Sequence, residues 1–376
     1  MRFIHLSDLH LGKKVNEFPM TEDQKYILSE IIKIIDEEKP DALLIAGDIY
    51  DKTIPGEDAI RLWDVFLSDI AKRRIETFII NGNHDSAVRL SSYRGLIDAS
   101  GIHLSPSYDG NALSFRLNDE HGPVNIHMLP FIKPSVIRHL FPDEEISDYT
   151  DAVRVSVQKM EIDNTERNVL IAHQYVTGAK RCESEEVVVG GLDNVDVSVF
   201  DDFDYVALGH LHGPQKVMRD TVRYSGSPLK YSFSEADHHK SLTVIDMREK
   251  GNISIRTREL KPLHDMKVIR GSYLELTKKD FYISMDTKDY IHAVLTDEND
   301  IPDVMQKLRI IYENIMKISY DNKRTSENRE LKPLQDVERR SPAELFSEFY
   351  EMQNNSQMDE DQRKCLEKCI DSIWSK

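Results

Sequence analysis

The sequence predicts an α/β fold, and three observations carry that expectation. Short apolar runs that read as strands alternate with amphipathic runs that read as helices. Several of the apolar runs close on polar residues, where sites form in open α/β sheets. The chain has 376 residues, enough for a full hydrophobic core in two or three domains.

The elements follow in order. Phe3 to Leu6 is a strand that runs into Asp8 and His10. Thr21 and Gln24 have the spacing of a capping box. Ile27, Ile31, Ile34 and Ile35 follow on one helical face that ends at Lys39-Pro40. DALLIAGD is a strand closing at Asp48, and Ile60, Trp63, Phe66, Leu67 and Ile70 mark a second helix. TFIINGNHD is a strand closing at Asn81 to Asp85, followed by an apolar helix around Leu90, Tyr93, Leu96 and Ile97. NVLIAHQ ends at His173, and YVALGHLH ends at His210 and His212.

From about Asp265 the pattern changes. MKVIRGSYLEL and YIHAVLTD read as strands, Ile301, Val304, Leu308, Ile311 and Ile315 as one amphipathic helix, and Ile318 marks a further strand. Residues 321–341 are polar and read as a linker. Ser341-Pro342 then opens a helix with Leu345, Phe346, Phe349 and Tyr350 on one face. A last helix carries Cys365, Leu366, Cys369, Ile370, Ile373 and Trp374. The expected organisation is a main domain over 1–260, a small α+β domain over 261–320, a linker over 321–341 and a helical segment over 342–376.

Composition narrows the class. The net charge of −17 argues against a nucleic-acid binder that relies on a generally basic surface, though an enzyme whose metals and local basic loops meet phosphates is compatible with it. Three cysteines, Cys182, Cys365 and Cys369, fit no disulfide framework or zinc module. With no signal peptide pattern and no membrane span, the expected location is cytoplasmic, with no membrane contact.

Five segments place carboxylate, amide and imidazole groups at strand ends: Asp8 and His10, Asp48, Asn83 with His84, His173, and His210 with His212. Singly, each has an ordinary explanation as a cap, a turn or a hairpin. Jointly they form an all oxygen and nitrogen donor set, which suits manganese, iron or zinc in an open site better than a closed structural zinc site.

D-L-H, G-D-I-Y-D, G-N-H-D, A-H-Q and G-H-L-H, in this order, resemble the calcineurin-like metallophosphoesterases. The resemblance implies a four-layer α/β/β/α sandwich holding two divalent metal ions. GDIYDKTIP, ALGHLHGPQKV and YSGSPLKYSFSE narrow it to the SbcD branch, nucleases that act with an SbcC-type ATPase in DNA repair, recombination and replication. Residue by residue, it implies that Asp8, His10 and His212 bind one metal, that Asn83, His173 and His210 bind the other, and that Asp48 bridges them. Manganese is the expected ion. A bridging carboxylate holds two cations about 3.5–4 Å apart, where they activate water and stabilise phosphoryl charge.

In that family the histidine at position 84 serves the leaving oxygen, and Asp51 is a candidate for orienting it. DNA would be cut to a 5′-phosphate and a 3′-hydroxyl, as a 3′-5′ exonuclease on duplex and an endonuclease on single strands and hairpins. Lys13, Lys52, Arg89, Lys230 and Tyr231 are candidate DNA contacts. The small domain is expected to cap the DNA, the C-terminal helices to bind the ATPase, and the chain to form a homodimer within a heterotetramer. The rival enzyme class is a free-standing phosphatase or cyclic-nucleotide phosphodiesterase.

Overall fold

A computed structural model describes residues 1–92, 94–183, 185, 193–322, 343, 346–347, 349–351 and 357–374. Two units are distinguished, Met1–Asp265 and Met266–Lys376.

Two six-stranded sheets build the first unit. One runs in the order Ile253–Glu259, Ser241–Met247, Arg2–Leu6, Ala42–Ala46, Glu76–Ile80, Ile102–Leu104. The other runs Gln215–Val217, Arg219–Tyr224, Tyr205–Gly209, Arg167–His173, Gly122–Leu129, Leu113–Asp119. The inner strands of each sheet are parallel, and the antiparallel pairs lie toward the edges. Both faces of the central strands are apolar because both are covered. Phe3, Leu44, Phe78 and Ile245 of one sheet share a core with Ile126, Val169, Ile171 and Ala207 of the other. On the far side of the second sheet, Leu170, Ala172, Val206 and Leu208 pack with Val153, Val157 and Phe200. Helices Thr21–Glu38 and Glu57–Arg73 bury Ile27, Ile31, Ile35, Trp63, Phe66 and Ile70. The architecture is the four-layer α/β/β/α sandwich.

The C-terminal ends of five parallel strands deliver all the candidate ligands. The loops after the first two of them are locked to one another by main-chain bonds, Asp8 N to Gly47 O at 3.0 Å and His10 N to Asp48 O at 2.9 Å, and Phe131 N, beyond strand Gly122–Leu129, donates to Asn81 O at 3.0 Å.

The second unit has a parallel three-stranded sheet, Met266–Gly271, Tyr290–Leu295, Ile315–Tyr320. Ile269, Ile291, Leu295, Leu308 and Tyr312 form its core. The first strand stops at Gly271 instead of continuing to Leu276, because Ser272 and Glu275 make a capping box that starts a helical turn. The expected helix from Ile301 to Ile315 is confined to Val304–Arg309, and Ile315 begins the next strand.

Two further expectations are corrected. Thr21 and Gln24 form no capping box, since Met20 is the N-cap and the Gln24 amide is used in the loop of His10. The helix around Leu90 and Leu96 is broken into the turns Ala87–Leu90 and Arg94–Ile97, with Leu90 buried and Leu96 exposed; Tyr93 lies outside the described residues. The linker from 323 on, the Ser341-Pro342 cap and Leu345 also lie outside them. The last helix is Glu360–Trp374. No described helix is long and apolar enough to cross a membrane.

Candidate metal centre

Asp8, His10, Asp48, Asn83, His173, His210 and His212 converge at the shared mouth of the two sheets. Asp8, His10 and His212 bring one donor atom each within 4.8 Å of one another, and so do Asp8, Asp48 and His173. His10 Nε2 faces His212 Nε2 at 3.0 Å. Asn83 Oδ1 is 3.0 Å from both His173 Nε2 and His210 Nδ1.

Asp48 stands between the two groups. Its Oδ2 is 3.3 Å from His173 Nε2 and 3.6 Å from His10 Nε2, while Oδ1 accepts from the main-chain N–H of His84 at 2.9 Å. One oxygen is thus tethered, and the other faces both imidazole sets.

This arrangement is held against local preference. Asp8, His10, Asp48 and His210 all have positive φ, 53°, 44°, 52° and 105°. Non-glycine residues seldom adopt that region, and strain of this kind concentrates at functional sites. Gly82 is required by close approach, because a Cβ there would lie 2.1 Å from Asp48 Oδ1 and 2.6 Å from Asp48 N.

The donors fit divalent cations. Asp8 Oδ1 accepts from His210 N at 2.9 Å, but the buried Asp8 Oδ2 has no hydrogen-bond partner among the described residues. At most one proton can lie between the facing nitrogens of His10 and His212, so a lone pair remains there for a Lewis acid. Burial lowers the pKa of His210 to about 3 and that of His10 well below its usual value, keeping both as neutral rings able to ligate. Burial raises Asp8 to about 6. For Asp48 burial works in the same direction but is outweighed by His173 and His10, so its carboxyl lies below the usual range. His173 is raised to about 9, burial opposing and the Asp48 charge prevailing.

His84 Nδ1 is 3.0 Å from the main-chain oxygen of Asp51. Asp51 therefore touches His84 through its carbonyl, not its side chain, whose Oδ1 pairs with Lys13 Nζ at 2.7 Å. Among the candidate DNA contacts, Lys52 and Arg89 are exposed. Lys230 and Tyr231 are corrections to that group. Lys230 donates to Ala236 O at 2.6 Å and pairs with Asp265 at 2.8 Å, while Tyr231 is 3 % exposed and sets its ring edge-on to His10 and His212. Both are drawn inward by the internal partners of this segment.

Several supporting residues were not assigned to the site from the sequence, Gln24 having been read only as a helix cap. Asp85 accepts from the N–H groups of Ile49, Tyr50 and Gly82 at 3.1, 3.0 and 3.0 Å, tying the Asp48 and Asn83 loops together. Its place in G-N-H-D was the available signal. Glu235, fully buried, lies 3.2 Å from His212 Nδ1 and pairs with Lys240. Gln24 donates to His10 O at 2.7 Å and accepts from Gly12 N at 2.9 Å. Single polar residues in helices and loops carry no periodic signal, so only the fold reveals what they hold.

Comparison with known proteins gives the following. Residues 1–214 match the calcineurin-like phosphoesterase family. Residues 262–354 match the type 5 capsule protein repressor C-terminal domain, which is the C-terminal domain of the SbcD type. The chain is 33% identical over 323 residues to the SbcD component of the nuclease SbcCD of Staphylococcus epidermidis, covering 85% of each. Among solved structures, a dimetal phosphatase from Danio rerio aligns with TM-score 0.45 and 13% identity over 69% of this chain and 96% of that one. A Thermus thermophilus protein aligns with TM-score 0.42 and 12% identity over 69% and 99%.

Proposed function

The chain belongs to the calcineurin-like phosphoesterase family, in its SbcD branch, and is a metal-dependent phosphodiesterase; from this premise we propose that it is a two-metal DNA nuclease working with an SbcC-type ATPase. The observation that carries the reading is the Asp48 carboxylate, one oxygen anchored and the other facing both imidazole groups.

Asp8, His10 and His212 would hold one cation, Asn83, His173 and His210 the second, and Asp48 both; manganese suits this oxygen and nitrogen set. When bound, such ions lower the pKa of water and offset charge on the phosphoryl oxygens. The remaining work falls to the chain. His84, fixed by the Asp51 carbonyl at Nδ1, keeps Nε2 for the leaving 3′-oxygen, to which it supplies a hydrogen bond or a proton. Lys52, exposed on the loop after Asp48, and Arg89, exposed on the helical turn Ala87–Leu90 after Asn83, meet neighbouring DNA phosphates. Duplex ends would be degraded 3′ to 5′ and single strands and hairpins cut internally, with the small domain capping the DNA and the chain acting as a homodimer within a heterotetramer. The apolar C-terminal residues, including Phe346 and Phe349, each 48 % exposed, would dock on the ATPase.

The test is cleavage of linear duplex, hairpin and single-stranded DNA with and without manganese and SbcC. Manganese-dependent cutting of single strands by the chain alone, and of duplex ends with SbcC and ATP, is expected. Hydrolysis of small phosphodiesters with no DNA cleavage under any condition would replace this reading with that of a free-standing phosphodiesterase.

A further inference from the structure

The stretch YSGSPLKYSFSE, residues 224–235, supplies no candidate metal ligand, yet it packs against His212. Ser227 N donates to His212 O at 3.2 Å, and a Cβ on Gly226, whose φ is 79°, would come within 2.6 Å of the same oxygen. The last residue of the stretch, Glu235, is fully buried in the turn Phe233–Glu235 and sets its Oε1 3.2 Å from His212 Nδ1. Lys240, 4 % exposed, donates to Glu235 Oε2 at 2.5 Å, to Ser227 Oγ at 2.8 Å and to His212 O at 2.8 Å. An ammonium group has three N–H donors, so all are used here.

A buried ion pair often adds no stability over apolar residues of the same size, so one built against a candidate ligand calls for a further role. A carboxylate only accepts hydrogen bonds, and the Lys240 charge keeps Glu235 in that form. The ring nitrogen facing Glu235 must therefore carry the proton of a neutral His212. Its lone pair is left on Nε2, the atom that faces His10 Nε2. Glu185 Oε1 accepts the main-chain N–H of His212 at 2.7 Å, so backbone and ring are both held before any cation arrives. The second group is backed differently, with His173 Nδ1 2.7 Å from the main-chain oxygen of Ala46 and His210 Nδ1 3.0 Å from Asn83 Oδ1.

We infer that Glu235 and Lys240 are positioning residues for the first cation alone: Lys240 orients Glu235, and Glu235 fixes His212 as the Nδ1–H tautomer that presents Nε2 to the metal. A carboxylate behind a metal-bound imidazole also makes it a stronger donor, and loss of such a partner typically weakens metal binding about 10–100-fold. The inference rests on the two-metal reading and adds to it a dependence of one cation on an ion pair outside the ligand set.

The experiment uses the full-length chain and manganese alone, with binding followed by calorimetric titration. In a chain whose second group is disabled by Asn83→Ala, adding Glu235→Gln should weaken the remaining site at least about tenfold. In a chain whose first group is disabled by His10→Ala, the same substitution should change affinity by less than about twofold. Equal losses in the two backgrounds, or no loss in either, would overturn the inference, since a merely structural role does not distinguish the sites. Should Glu235→Gln fail to fold, Glu235→Gln combined with Lys240→Met leaves no buried charge unpaired and takes its place. The unaltered, metal-free chain supplies an independent readout. Nitrogen-15 NMR of its histidines, with His212 assigned by comparison with His212→Asn, should show the proton on Nδ1, and a proton on Nε2 would overturn the inference without any variant at Glu235. Two manganese ions in the unaltered chain with equal losses in both backgrounds defeats only this inference, whereas fewer than two ions in the unaltered chain defeats the two-metal reading on which it rests.

Discussion

Asp85→Ala removes a side chain that touches no substrate and lies outside the assigned ligands, yet the structure makes it a keystone. Its two oxygens take three main-chain N–H groups, from Ile49 and Tyr50 beyond the Asp48 strand and from Gly82 before Asn83. The residue is 8 % exposed, so water reaches this bond set poorly. Each buried donor left unpaired costs roughly 1–3 kcal/mol, and with partial relaxation the three together amount to about 3–6 kcal/mol. Asp85→Asn keeps one acceptor oxygen and should cost roughly 1–2 kcal/mol. Urea unfolding of the metal-free chains, with the slope checked for constancy, measures both. Calorimetric titration with manganese should show weaker binding in the same order, because the loops bearing Asp48 and Asn83 lose their common anchor. A cost below about 1 kcal/mol for Asp85→Ala, with manganese affinity unchanged, would refute this reasoning.

Three other substitutions probe different links. His84→Ala should retain both metals and DNA binding while turnover falls on the order of 10²-fold, as for a lost general acid; loss of metal on elemental analysis would move His84 into the ligand set. Gly82→Ala should leave the circular dichroism spectrum intact but abolish paired metal binding, since its Cβ would enter the space of the Asp48 carboxylate; crystallography or metal analysis showing an undisturbed centre would contradict this. Glu38→Gln tests electrostatics away from the site. Hydrogen bonds from Arg256, then burial in opposition, then Arg258, leave Glu38 with a pKa of about 2. A depressed folded pKa means that the stabilisation is present above the ordinary value near 4.5 and is lost as pH falls toward 2. Allowing for the partial exposure of both arginines, the difference from the unaltered chain should be about 1–2 kcal/mol at neutral pH. It should shrink below about pH 4, and a pH-independent difference in thermal scans would argue against it.

The parts of this molecule that repeat were legible in the sequence, and the parts that occur once were not. Strands such as Ala42–Ala46 and Tyr205–Gly209 are buried on both faces, so they appear as continuous apolar runs, and their ends announced the ligands. Helix Glu57–Arg73 was visible from Trp63, Phe66 and Ile70, all inward-facing. The edge strands Leu113–Asp119 and Ile253–Glu259 were missed, because each is half exposed and its mixed residues lack an apolar run. Helix Thr21–Glu38 was found, but its start was misread, since Gln24 has the composition of a cap and a tertiary use in the His10 loop. Tyr231 shows the same limit, because an aromatic beside a lysine is typical of nucleic-acid contacts, and only packing reveals that this ring is buried against His10 and His212.

The central claim is that Asp48 joins two cations into one centre. Elemental analysis of the purified chain and of Asp48→Ala, each equilibrated with manganese and freed of excess ion, tests it most directly. Two manganese ions are expected per unaltered chain and at most one in the variant, whose fold by circular dichroism is unchanged and whose DNA cleavage is lost. Two ions retained by Asp48→Ala would contradict it.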